Sequence, residues 1–154
     1  MTEIVMSLPT AADTWELGRR IAGLLRAGDV VVLSGPLGAG KTVLAQGIGA
    51  GLGISSGVVS PTFVLARVHR AGRLPLVHVD AYRLGGVSEL DDLDLDSDVA
   101  DSVTVIEWGV GLADRLASEN LHVVLDRGGA DERRTAVLHA TGPGWKQRLR
   151  ALSP

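Results

Sequence analysis

The sequence predicts a three-layer α/β domain built on a mixed, mainly parallel central sheet. Three observations predict it. Short β-branched runs alternate with segments of helical periodicity, as interleaved strands and helices require. A glycine-rich turn joins one such strand to one such helix. The length of 154 residues, 45% hydrophobic and 21% charged, suits a single domain with a sizeable core, taken as residues 1–154.

Residues 3–8 read as a short strand. Thr10 or Asp13 offers an N-cap for a helix running to about Ala27, with Leu17, Ile21, Leu24 and Leu25 on one face and Gly28 as its stop. Val30-Val31-Val32-Leu33 has no polar alternation, so it reads as a strand covered on both faces. After the glycine-rich turn, Val43 to Gly51 reads as helix. Phe63 to His69 and Leu76 to Asp80 read as strands, and the short link Ala71-Gly72-Arg73 makes them an antiparallel hairpin. A helix is expected near Ser88, a strand at Val103 to Glu107 and a short helix at Gly111 to Ser118. Strands at Leu121 to Asp126 and Arg134 to Ala140, then a helix at Trp145 to Leu152, complete the chain.

Composition narrows the chemistry. No cysteine is present, which excludes disulfides, thiolate metal sites and thiol catalysis. The start Met1-Thr2-Glu3-Ile4 lacks the basic and apolar regions of a signal peptide, and no run approaches the roughly 18 apolar residues of a membrane span. A cytoplasmic protein without a membrane partner is expected. The net charge of −3 is uneven: seven acidic residues and no basic one lie between Glu89 and Asp101. Only Lys41 and Lys146 among the 15 basic residues are lysine, which is not the composition of a charge-driven nucleic-acid binder.

The turn Gly35-Pro36-Leu37-Gly38-Ala39-Gly40-Lys41-Thr42 matches the phosphate-loop pattern G-x-x-x-x-G-K-[ST] completely. Its glycines permit backbone angles that aim successive N–H groups inward as a nest for phosphate oxygens. The helix beginning near Lys41 adds the positive end of its dipole. Gly35, Gly38, Ala39, Gly40, Lys41, Thr42 and Val43 are therefore the expected nucleotide-binding residues. Lys41 is assigned to the β- and γ-phosphates, and the Thr42 hydroxyl to Mg²⁺. ATP as substrate and a fold like that of the P-loop nucleotide hydrolases follow.

A metal–nucleotide site also needs carboxylates near the γ-phosphate. In an open α/β sheet the ligand lies beyond the carboxyl ends of the strands. Asp80 and Glu107 each close a predicted strand, so both are candidates for binding Mg²⁺ and for catalysis. Each also has a plain alternative, a cap for Asp80 and a surface charge for Glu107. His78 shares a strand face with Asp80 and, taken alone, reads as a hydrogen-bonded structural histidine. Ser60-Pro61-Thr62 reads either as a turn or as a loop whose hydroxyls sense the γ-phosphate.

Four motifs in order, Gly38-Ala39-Gly40-Lys41-Thr42, Ser60-Pro61-Thr62-Phe63, His78-Val79-Asp80-Ala81-Tyr82-Arg83 and Glu107-Trp108, make the chain resemble the bacterial TsaE (YjeE) family of ATPases. That family takes part in making threonylcarbamoyladenosine on tRNA. The resemblance implies that Thr42 and Glu107 hold Mg²⁺ and that Asp80 is needed for hydrolysis. It implies a switch-like loop at Ser60, Pro61 and Thr62, and Trp108 near the nucleotide. A late-strand arginine that contacts ATP corresponds to Arg133 or Arg134, with Arg133 preferred. The family's N-terminal nucleotide contact falls on the segment around Thr10. The resemblance also implies TsaB and TsaD as protein partners, with tRNA reached only through their complex. Isolated hydrolysis would then be slow.

Two other classes compete. A small-molecule kinase needs a phosphate lid, for which the acidic run from Glu89 to Asp101 is poorly suited. A GTPase switch would use Asp126-Arg127-Gly128-Gly129 as its D-x-x-G, but neither lysine follows an asparagine, so the guanine-reading N-K-x-D is absent.

Overall fold

A computed structural model describes residues 3–36, 39–54, 66–69, 72–80, 101–107, 119–127 and 133–152; side chains are described at all of these except 66–69 and 80. Seven strands form one sheet: β1 (Glu3–Leu8), β2 (Val30–Ser34), β3 (Ala66–His69), β4 (Leu76–Asp80), β5 (Val103–Glu107), β6 (Asn120–Arg127) and β7 (Arg134–Thr141). Their spatial order is β1-β7-β6-β2-β5-β4-β3. The four central strands β6, β2, β5 and β4 are mutually parallel, while β1–β7, β6–β7 and the β3–β4 hairpin pair antiparallel. The predicted mixed, mainly parallel sheet is therefore present. The helices expected near Ser88 and at Gly111 to Ser118 lie outside the described residues.

Helices α1 (Ala11–Ala22) and α2 (Lys41–Gly51) pack on one sheet face. Their Leu17, Ile21, Leu44 and Ile48 join Val31, Leu33, Leu121, Val123, Leu125 and Leu138 in one buried cluster. On the other face Val30, Val32, Val77, Val79 and Ile106 are buried as well. That two-sided burial is why the central strands carry continuous apolar runs. No described helix is long and apolar enough to cross a membrane.

The two helices cross at glycines. A Cβ placed on Gly47 would collide with the Trp15 carbonyl, and one on Gly18 with the Leu44 carbonyl. Backbone therefore meets backbone, which anchors α2 and the turn that precedes it.

Two helix boundaries depart from the sequence expectation. Helix α1 begins at a capping box, in which Thr10 and Asp13 bond reciprocally, but ends at Ala22 rather than Ala27. Distant arginines bond the carbonyls at this end. Arg73 donates to the Ala22 carbonyl at 2.9 Å, and Arg148 to the Leu24 carbonyl at 2.9 Å, satisfying acceptors that a longer helix would use internally. Arg148 also forks onto Asp29 at 2.6 and 3.1 Å and lies 3.9 Å over the Trp145 ring. Gly28, the expected stop, instead donates to the Ser102 carbonyl at 2.8 Å. The last helix, α3 (Pro143–Leu149), starts earlier than expected because Pro143 is preset for a first turn, and Arg150–Leu152 tighten into a 3₁₀ turn.

A polar row crosses the sheet behind the phosphate loop. The Ser34 hydroxyl lies 2.8 Å from His122 Nε2, the rings of His122 and His139 are 6.0 Å apart, and His139 Nδ1 is 3.0 Å from Glu3. Burial, then the neighbouring His139, holds the His122 pKa below the ordinary value of 6.5. Below that value the unfolded chain binds the proton more readily than the native one. The contribution to stability is thus complete above pH 6.5 and is lost as pH falls below it, with a limiting slope of about 1.4 kcal/mol per pH unit for one proton. Melting temperatures measured across this range should decline on acidification, and His122→Gln should flatten the decline. An unchanged profile in the variant would remove His122 as its source.

Candidate nucleotide site

The site begins where β2 ends. Gly35, with φ of 143°, sits so close to the Leu125 carbonyl of β6 that a Cβ would overlap it. Gly40, with φ of 103° and ψ of 17°, is the left-handed residue that turns the chain into α2. It provides no side-chain cap, and the first turn of α2 contains no acidic residue. The N–H groups opening this 11-residue helix thus face their dipole's positive end without a carboxylate to complement it. An anion is the natural complement.

Lys41 intensifies that demand. It is the first residue of α2, only 6% exposed, and its Nζ donates to the carbonyls of Gly35 at 2.8 Å and Pro36 at 3.0 Å. A phosphate bound here would complement both this cation and the helix dipole. Thr42 follows, half-buried in the same turn.

Sheet register brings the carboxylate positions to the same edge. Leu33 of β2 pairs with Glu107 of β5, which pairs in turn with Asp80 of β4. Both acidic residues therefore close strands parallel to β2, on the end from which the phosphate loop departs. Glu107 is itself buried, with its Oε2 2.9 Å from Nε2 of the fully buried His78.

The N-terminal and late-strand segments also converge here. Thr14 of α1 is 1% exposed, its hydroxyl has no partner among the described residues, and its methyl lies 3.6 Å from where a Gly40 Cβ would be. The N-terminal segment expected to contact nucleotide holds both Thr14 and Thr10, whose hydroxyl donates to Asp13 at 2.8 Å. Thr14 shares a helical face with Leu17 and Ile21. Of the two late arginines, Arg134 reaches the loop, its Nε donating to the Ala39 carbonyl at 3.2 Å; Arg133 is exposed beside it. Gly38, Ser60, Pro61, Thr62 and Trp108 lie outside the described residues.

Hard oxygen donors from Thr42 and Glu107 suit Mg²⁺, which takes few protein ligands and leaves the rest of its shell to water and phosphate.

The family model for "Threonylcarbamoyl adenosine biosynthesis protein TsaE" matches residues 8–136, from the end of β1 into β7. The chain belongs to the TsaE family. The tRNA threonylcarbamoyladenosine biosynthesis protein TsaE of Streptomyces coelicolor is 54% identical over 136 residues, covering 84% of this chain and 92% of that one. The corresponding protein of Bacillus subtilis is 40% identical over 122 residues, 79% of this chain and 76% of that one. The crystal structure of YdiB from the same Bacillus superposes with a TM-score of 0.78 at 28% identity, covering 99% of this chain and 96% of that one. The fold of YdiB is thus shared over 99% of this chain, and by name the TsaE relatives of Streptomyces and Bacillus act in tRNA threonylcarbamoyladenosine biosynthesis.

Proposed function

We propose that this TsaE-family chain is a Mg²⁺-dependent ATPase required for threonylcarbamoyladenosine formation at position 37 of tRNAs reading codons that begin with A. It would hydrolyse ATP to drive turnover of a complex of TsaB and TsaD, without modifying tRNA itself. The observation that carries the reading is the buried Lys41 at the uncapped start of α2, one strand from the buried carboxylate of Glu107.

On this reading the loop amides and Lys41 hold the β- and γ-phosphates. Thr42 and Glu107 hold Mg²⁺, which supplies charge neutralisation of the transferring phosphoryl group. Asp80 orients the attacking water in line with the scissile bond. Arg134 and Thr14 extend the nucleotide contacts assigned to Arg133 and Thr10, and Ser60-Pro61-Thr62 and Trp108 complete the surroundings. Companion proteins finish the site, so the isolated chain is a slow ATPase.

Reconstituted tRNA modification tests the proposal. Without this protein, TsaB and TsaD should complete about one turnover; with it, many. Asp80→Ala should return the system to about one turnover while retaining ATP binding. Multiple turnovers with the Asp80 variant would refute its role, and multiple turnovers without the protein would refute the function.

A further inference from the structure

The geometry points to His78 as the positioning residue for the Glu107 carboxylate, an inference resting on the reading of Glu107 as a metal ligand. His78 lies on β4 opposite Val105 of β5, so Glu107 is its diagonal neighbour on the adjacent strand. Both side chains are buried, and His78 Nε2 approaches Glu107 Oε2 to 2.9 Å. A carboxylate oxygen accepts, so Nε2 carries the hydrogen and the ring's tautomer is set by this bond. The other ring nitrogen, Nδ1, is buried and has no partner among the described residues.

That asymmetry separates positioning from packing. A side chain needed only to fill space would leave no nitrogen stranded in the interior, because an unsatisfied buried polar atom is costly. Among the described residues Nδ1 has no partner, and the ring's one polar contact there is the bond to Oε2. A long carboxylate side chain at a strand end has three rotatable bonds; a bond to a ring locked within the sheet removes that freedom. The carboxylate then waits in one orientation beside the strand that leads into the phosphate loop. Ligating carboxylates depend on such supporting bonds, whose loss typically weakens metal binding by about 10- to 100-fold.

The test uses the full chain with a non-hydrolysable ATP analogue and reads Mn²⁺ affinity by paramagnetic resonance. Glu107→Ala is the reference, and thermal melting checks folding. His78→Leu should weaken Mn²⁺ by about 10- to 100-fold and leave metal-free nucleotide affinity unchanged. His78→Gln, whose amide nitrogen reaches the place of Nε2, should restore most of the metal affinity. His78→Asn, whose amide is one bond shorter, should not. Should the leucine variant fail to fold, the glutamine–asparagine pair decides alone. Equal Mn²⁺ affinity in those two variants, or wild-type affinity in folded His78→Leu, would overturn the positioning role provided Glu107→Ala is impaired. If Glu107→Ala itself binds Mn²⁺ normally, the metal-ligand reading fails first and the positioning role falls with it.

Discussion

Lys41→Ala should bind ATP about 100-fold more weakly than the wild type, which corresponds to roughly 3 kcal/mol. The figure follows from losing charge-assisted bonds to phosphate, each worth about 1.5–3 kcal/mol. The ammonium donates to the Gly35 and Pro36 carbonyls at the positive end of α2. A bound phosphate would bring negative charge to both the ammonium and the helix end, so bonds to carbonyl would be exchanged for stronger, charge-assisted ones. Stability should change little, because Gly35 is half-exposed and Pro36 exposed, leaving their carbonyls close to water. Binding and folding are therefore separable in this variant. Titration with a fluorescent ATP analogue reads the first and thermal melting the second. Affinity within twofold of the wild type would show that Lys41 does not hold the phosphates.

The largest effect on stability should come from Gly47→Ala. Helix propensity alone predicts a gain of about 1 kcal/mol, since alanine is the better helix former. Packing predicts the reverse. The new methyl would fall on the Trp15 carbonyl, a backbone atom of α1 that cannot rotate aside. Overpacking costs about 1–3 kcal/mol when side chains can adjust, and the upper end applies where backbones must part. A melting temperature lower by roughly 10 °C is expected, from a few degrees per kcal/mol in a domain of this size. Gln46→Ala, on the exposed side of the same helix, is the control and should be near neutral. Equal or higher stability in Gly47→Ala would mean that α1 and α2 separate freely. Because α2 begins at the phosphate loop, the same variant should also bind nucleotide less well.

What the sequence made legible was local. The Val30–Leu33 run announced a strand buried on both faces, and the phosphate loop displayed all its chemistry within eight consecutive residues. What it concealed was tertiary. Helix α1 stops at Ala22, where Arg73 and Arg148, far along the chain, bond the carbonyls of Ala22 and Leu24. His78 and Glu107 looked like separate features until the β4–β5 register set them on a common diagonal. Strand alternation distinguishes the two late arginines. Arg134 is on the same face as buried Ala136 and Leu138, whereas Arg133 precedes the strand. The positions of both carboxylates at strand ends were legible from sequence, but their mutual alignment was not.

The placement of β2 also bears on how the molecule is made. The strand that launches the phosphate loop is flanked by β5 and β6, which begin only at Val103 and Asn120. A ribosome therefore releases the loop long before either of its flanking strands exists. Pairings between such distant segments carry a large closure entropy and form late. A nucleotide site built on that loop would therefore be completed only near the end of synthesis, once β5 and β6 have paired with β2.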